Sequence, residues 1–213
     1  MGKFLDEQTA NQLKDIFSNL EKSVTLVRFT KNDCENCHIV EKLFNELLDL
    51  GSFLKVKTYN IDENPHIKEQ YNIKDAPSYV LLDNNNKRFG ATFYGVPAGH
   101  EFNTLITSIT DAGKSKEPFN DDVVLDIKAI NKPVDIKIFV TASCPNCPAA
   151  AINVSRLAQI NNNIATTIYE SQTFNTLAEE YKVTGVPKII INETKEIMGN
   201  QPIEDFIKII NSI

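Results

Sequence analysis

The chain has no tryptophan, only three histidines, four cysteines and two methionines in its 213 residues. No apolar run approaches the ~18 residues that a membrane-spanning helix needs, so a helical span is excluded. Basic residues are in deficit: 22 Lys and Arg face 28 Asp and Glu, and the net charge of −6 argues against nucleic acid as a general partner. No glycine-rich nucleotide-binding motif is present, so a dinucleotide is expected to belong to a partner rather than to this chain. The N-terminus, Met1-Gly2-Lys3-Phe4-Leu5-Asp6-Glu7-Gln8, is acidic where an export signal would be apolar, and a cytoplasmic location is the expectation. In that compartment close cysteine pairs are more often catalytic or metal-bound than structural.

What is present is a repeat. Cys34-Glu35-Asn36-Cys37 recurs 110 residues later as Cys144-Pro145-Asn146-Cys147, and these two pairs account for all four cysteines. Pro77 lies 43 residues beyond Cys34, and Pro187 lies 43 beyond Cys144. Val24, Phe29, Glu69 and Tyr71 meet their own residue type 110 positions on, at Val134, Phe139, Glu179 and Tyr181. Matched spacing of this kind marks an internal duplication. Length and the 42% apolar content suit two globular domains of ~100 residues, divided as 1–115 and 116–213 across the polar stretch Gly113-Lys114-Ser115-Lys116-Glu117-Pro118.

Periodicity places helix and strand in the same order in both halves. The first half predicts helix over 5–20, strand over 24–30, helix over 39–50, strand over 53–60 and a short helix from Pro65. A hairpin over 78–82 and 88–94 and a helix over 99–112 complete it. The second half predicts helix over 123–130, strand over 134–140, helix over 145–160, strand over 164–169 and helix over 173–181. A shorter hairpin over 188–191 and 195–198 and a helix over 203–210 follow.

Two cysteine pairs of this spacing could bind zinc, and Cys34-Glu35-Asn36-Cys37-His38 fits the c-type haem attachment pattern. The placement of each pair between strand and helix and the matched prolines argue against zinc. The copy at Cys147 is followed by Pro148 instead of histidine, which argues against haem. His66 and His100 have no partner motif, so no metal is expected.

A β-α-β unit, a helix, a hairpin and a last helix, with Cys-x-x-Cys where the first strand meets its helix, resemble the thioredoxin fold. Tyr59-Asn60-Ile61-Asp62-Glu63-Asn64-Pro65, with Gln70-Tyr71-Asn72-Ile73 and Ala76-Pro77, carries the resemblance. The tandem arrangement, and Gly95-Val96-Pro97-Ala98-Gly99-His100-Glu101-Phe102 after the first hairpin, resemble the glutaredoxin-like protein disulfide oxidoreductases. The fold class expected is α/β, two tandem thioredoxin-fold domains, each a central mixed sheet flanked by helices. Two departures stand out. Asp33 and Ser143 replace the usual tryptophan before the first cysteine, and Arg28 and Ile138 replace the usual buried acid. Glu170 is a candidate substitute for that acid.

The resemblance implies thiol–disulfide exchange through a mixed disulfide, with protein disulfides as substrates. Cys34 and Cys144, ahead of their helices, are the expected attacking thiolates; Cys37 and Cys147 resolve. Pro77 and Pro187 resemble the cis-prolines of the fold, with the backbones of Ala76 and Val186 expected to pair with an extended substrate strand. Glu35 sets a carboxylate beside Cys34, whereas Pro145 is read as fitting the first helical turn and adds no charge. Cys144 is therefore expected to be the dominant nucleophile. No cofactor is expected beyond the redox-active disulfides. The reductant implied is a thioredoxin reductase-like flavoprotein using NAD(P)H. Two alternatives stand beside this reading. One is the electron-transfer module of a peroxide-reducing system, against which the intact Cys34/Cys37 pair speaks. The other is a zinc-binding or scaffold module.

Overall fold

A computed structural model describes residues 3–213; Met1 and Gly2, part of the acidic N-terminus, lie outside it. The first half runs α1 (Glu7–Ser18), β1 (Val24–Thr30), α2 (Glu35–Leu48), β2 (Leu54–Asn60), α3 (Pro65–Gln70), β3 (Ser78–Leu82), β4 (Arg88–Tyr94) and α4 (Glu101–Gly113). The second runs α5 (Asp121–Lys128), β5 (Val134–Val140), α6 (Cys147–Ile160), β6 (Ile164–Glu170), α7 (Asn175–Glu180), β7 (Lys188–Ile191), β8 (Lys195–Met198) and α8 (Ile203–Ser212).

Each half contributes the same strand order, β2-β1-β3-β4 and β6-β5-β7-β8. The two sheets are not separate. Thr92, Phe93 and Tyr94 of β4 pair in parallel with Thr167, Ile168 and Tyr169 of β6, which fuses them into one eight-stranded mixed sheet. The join is head to tail, so β2 and β8 remain as free edges. Exposed Lys55 and Lys57 on β2, and only four residues in β8, blunt these edges against further strand addition.

One hydrophobic core runs along one sheet face under both halves. Phe17 of α1, Phe44 of α2, Ile109 of α4, Ile127 of α5, Leu157 of α6 and Phe206 of α8 all belong to it. The other face holds two smaller clusters, one beneath Ile67 and Tyr71 in the α3 region, the other beneath Phe174, Leu177 and Tyr181 around α7. The seam is closed by α6 of the second half, which lies against β4 of the first. Pairing of β3 with β4 shifts register between Val80 and Leu81, where Gly90 and Ala91 bulge out. Gly90 has φ +69°, and a Cβ there would sit 2.7 Å from Ser155 Oγ, so only glycine lets α6 come so close. Ala91 N–H donates to Ser155 Oγ at 3.2 Å. Arg156 grips Asp111 on α4 through two bonds of 2.8 and 3.2 Å, tying the halves from the helical side.

The helices that carry the cysteines begin differently, and one expectation is corrected. α2 starts at Glu35, earlier than its apolar stripe indicated, because Cys34 caps it. α6 starts at Cys147 and not at Pro145. Pro148 has no N–H to return to the carbonyl of Cys144, so a helix beginning at Pro145 would lack its first bond. The chain instead turns over Pro145 and Asn146, and Pro148 occupies the first helical turn.

Candidate functional site

Both cysteine pairs sit where a strand runs into a helix, and both are closed. Cys34 is bonded to Cys37 with Cα atoms 5.2 Å apart, and Cys144 to Cys147 with Cα atoms 5.4 Å apart. In each pair the first cysteine is 8% exposed, while the second is 2% (Cys37) or 0% (Cys147) exposed. The asymmetry follows from the helix start: the first residue stands at the rim, and the second turns inward to the core. The first residue of each pair is thus the more accessible of the two.

The peptide bonds Ala76-Pro77 and Val186-Pro187 are both cis, as the resemblance implied. The structure brings each to its own disulfide. Ala76 and Pro77 line one groove with Cys34. The carbonyl oxygen of Val186 lies 3.8 Å from Cys144 Sγ. The two halves differ at the residue before. Asp75 Oδ1 accepts the Ala76 N–H at 2.7 Å and also holds Lys31 Nζ at 2.7 Å. The position 110 residues on is Gly185, which has no carboxylate to offer Val186.

Local electrostatics also differ. The Cys37 N–H points at Cys34 Sγ at 3.1 Å, a donor that favours negative charge on that sulfur. Cys144 Sγ faces the Val186 carbonyl instead, an acceptor that gives such charge no support. These contacts act against the ordering read from Glu35, whose side chain is exposed. Behind the first pair, Arg28 is 6% exposed, donates to Thr58 Oγ1 at 3.2 Å and pairs with Glu41 of α2 at 3.2 Å. The hydrogen bond from Arg28 holds the Glu41 carboxyl below its ordinary range. A buried cation thus stands where the resembling fold carries an acid.

Two acids are buried elsewhere, Glu101 and the candidate Glu170, the latter 7% exposed. Glu101 is 5% exposed at the start of α4, against the seam, beside Val140 and Glu170. Burial pushes its pKa up to about 7; contact with the Thr104 hydroxyl opposes the rise and the charge of Glu170 adds to it. Its Oε1 atom and the Thr104 hydroxyl are both buried, and neither completes a hydrogen bond of ordinary length and angle. Glu170 is committed to a turn: it accepts from Gln172 N–H, Thr173 N–H and the Thr173 hydroxyl at 3.2, 2.7 and 2.6 Å. The segment leading to Glu101 is clipped to the turn before Cys144, where His100 N–H donates to Ala142 O at 2.8 Å. Sequence reading missed Glu101, although its spacing from buried Thr104, Leu105 and Ser108 places it on the inner face of α4. It also missed Asp75, which a residue-by-residue comparison across the 110-residue offset exposes.

Fold and site together define two thioredoxin folds fused through one sheet, each with a Cys-x-x-Cys disulfide beside an X-Pro loop. A family model described as "Thioredoxin domain" matches residues 134–211. The chain is similar to the NTD_N/C domain of alkylhydroperoxide reductase AhpF from Enterococcus faecalis, at 29% identity and TM-score 0.90 over 97% of this chain and 100% of that one. It shares its fold with a protein disulfide oxidoreductase from Aeropyrum pernix, at 23% identity and TM-score 0.88 over 99% of this chain and 94% of that one. Among curated relatives, the AhpF component of alkyl hydroperoxide reductase from Staphylococcus aureus is 23% identical over 208 residues, 98% of this chain and 38% of that protein. The chain therefore spans well under half the length of the curated relatives it matches. Among the described residues no helix is long and apolar enough to cross a membrane.

Proposed function

We propose that this chain passes electron pairs to protein disulfides by thiol–disulfide exchange at two centres, one in each of the domains 1–115 and 116–213. The observation that carries the reading is the pairing, in both halves, of one sulfur at the rim with one turned inward, beside Ala76-Pro77 or Val186-Pro187. In the reduced protein the Cys144 thiolate attacks a substrate disulfide. The substrate S–S bond breaks, a mixed disulfide forms, and the departing thiolate takes up a proton. Cys147 then attacks Cys144 Sγ, releasing the second substrate thiol and re-forming the Cys144–Cys147 bond. Two electrons leave the protein. Cys34 and Cys37 perform the same steps.

The backbone of Val186 offers an extended substrate both a donor and an acceptor beside the reacting sulfur, which supports the second centre as the dominant one. No bound cofactor is needed, because the disulfides themselves carry the electrons. The reductant that fits is a thioredoxin reductase-like NAD(P)H flavoprotein, either a separate chain or a continuation of this one. A cytoplasmic location suits cysteines kept available for cycling.

Insulin precipitation under dithiothreitol tests the reading. The intact protein is expected to accelerate it. Cys34→Ser/Cys37→Ser is expected to retain most of that acceleration, and Cys144→Ser/Cys147→Ser to lose most of it. An intact protein with no effect over dithiothreitol alone overturns the proposal.

A second reading is favoured by the similarity to AhpF of alkyl hydroperoxide reductase, of which this chain matches only 38%. In it, the two centres form the electron-transfer module of a peroxide-reducing system. The two readings separate on the acceptor: faster reduction of an oxidised peroxiredoxin than of insulin, at equal concentrations, selects the second.

A further inference from the structure

The duplicated centres share a frame but not a charge environment. Across the 110-residue offset, Lys31, Asp33, Glu35 and Asp75 become Thr141, Ser143, Pro145 and Gly185. Four charged positions around the first disulfide are all uncharged at the second. The first disulfide also opens on a groove of about 440 Å³ whose far wall belongs to the other half, including Phe174, Leu177 and Glu180. Lys31 is held by Asp75 at 2.7 Å. Asp33, Glu35 and Glu180 are exposed and face no cation among the described residues, so three carboxylates are left uncompensated around one reactive sulfur.

We infer that this groove selects partners by positive charge: a protein disulfide flanked by Lys or Arg docks at Cys34, between the Ala76-Pro77 loop and α7, while the Cys144 centre does not discriminate by charge. This rests on the exchange reading above and names the substrate class of its first centre. A cleft lined by one sign of charge concentrates the opposite sign, and raises encounter rates by roughly 10- to 1,000-fold in favourable cases. Asp33, Glu35 and Glu180 line the one groove, and the field of exposed carboxylates fades over a Debye length, about 8 Å at physiological salt, so the selection is expected to weaken as salt is added. Phe174 and Leu177 supply an apolar wall for the stems of the partner's basic side chains. Because Glu180 lies on α7, the second half reads substrates for the first. The chemistry is balanced by the dithiol: Cys34 attacks, Cys37 resolves, the partner disulfide gains two electrons and two protons, and dithiothreitol returns them to the Cys34–Cys37 bond.

The test uses three disulfide-linked peptides, blocked at their ends, with Lys, Ser or Glu on either side of the cystine. Rates are measured for Cys144→Ser/Cys147→Ser, which keeps only the first centre, and for Cys34→Ser/Cys37→Ser, which keeps only the second. The first protein is expected to reduce the Lys peptide about tenfold faster than the Glu peptide, with the ratio falling towards one at 0.5 M salt. The second protein is expected to show a ratio within about twofold of one, since its thiolate alone supplies the negative charge. Glu180→Lys, added to a chain whose second centre is silenced by Cys144→Ser alone, is expected to lower the Lys-to-Glu ratio, which keeps the test open should the double-serine protein lose its fold. Turnover with equal ratios at the two centres overturns the inference alone. No turnover of any peptide overturns the exchange reading and this inference together.

Discussion

Asp75 Oδ1 accepts the N–H of Ala76 at 2.7 Å, occupying the backbone donor beside the first disulfide. Lys31 Nζ, 2.7 Å from the same oxygen, steadies it there. A substrate strand that pairs with Ala76 must displace this carboxylate, whereas at the second centre Gly185 has no carboxylate to stand on the Val186 N–H. The duplication has thus kept the sulfurs and prolines and changed their access.

Removing that carboxylate is expected to open the first centre. A hydrogen bond of this kind is typically worth about 0.5–1.5 kcal/mol, so Asp75→Ala should raise the exchange rate at Cys34 by about two- to tenfold. The measurement is turnover of the serine-flanked peptide by Cys144→Ser/Cys147→Ser with and without the substitution; an uncharged peptide separates access from charge selection. A slower or unchanged rate means that Ala76 N–H is not the docking donor.

Gly99 has φ +55°, and a Cβ there would lie 2.3 Å from the backbone oxygen of Ala142. Neither side can yield cheaply, because His100 N–H already holds that oxygen at 2.8 Å. Gly99→Ala is expected to cost about 1–3 kcal/mol of stability, and to slow exchange at Cys144 more than at Cys34, since Ala142 leads directly into the second pair. Gly51 is the comparison: nothing lies within 4 Å of its Cβ position, and Gly51→Ala should stay within about 0.5 kcal/mol of the parent. Urea unfolding and single-centre turnover check both. Equal losses at the two centres would dismiss the clip between Gly99 and Ala142 as a local support.

The four hairpin strands were legible to the residue, because turn-forming residues bound them: Asp83 to Asn86 in one hairpin, Asn192 and Glu193 in the other. The repeat of cysteines and prolines was legible from spacing, and the cis bonds followed from the resemblance. The start of α6 was not, because the obvious helix-starter Pro145 drew attention from Pro148, whose missing N–H decides the matter. Nor was the fusion of the sheets. Thr92, Phe93 and Tyr94 read as a strand whatever covers their edge, and the partner residues Thr167, Ile168 and Tyr169 lie a whole domain away. The Asp75 bond depends on one side-chain rotamer, and the pairing of Glu101 with Glu170 depends on the seam; neither leaves a periodicity to read.

That seam is expected to unfold as one unit with the rest. Arg156 and Asp111 are 23% and 17% exposed as side chains, and their two bonds are the geometry that arginine forms with a carboxylate and lysine cannot. Arg156 also lies 5.7 Å from the centre of the Phe119 ring, just beyond the first half. Arg156→Ala should cost about 2 kcal/mol, with Arg156→Lys recovering less than half of it. Both variants should still melt in one transition, because the shared core beneath both halves remains. Two resolved transitions, by calorimetry, would show that the halves are coupled through this contact and not through the core.

Glu101 makes stability depend on pH in a direction opposite to that of a paired carboxylate. Burial and the charge of Glu170 raise its pKa from 4.5 to about 7, so the folded chain keeps a proton that the unfolded chain has lost. Below pH 4.5 both states are protonated, and the group has no net effect. Between pH 4.5 and about 7 the unfolded state binds fewer protons, so stability falls as pH rises; above that, both states are ionised and the loss is constant. At about 1.4 kcal/mol per pH unit, the full loss is on the order of 3 kcal/mol. Glu101→Gln is neutral throughout and nearly the same shape. It is expected to match the parent near pH 4.5 and to exceed it by about 1–3 kcal/mol at pH 8 in urea unfolding. A variant that is no more stable than the parent at pH 8 would mean that Glu101 reaches solvent or a partner when it ionises, and that the seam is more open there than its 5% exposure indicates.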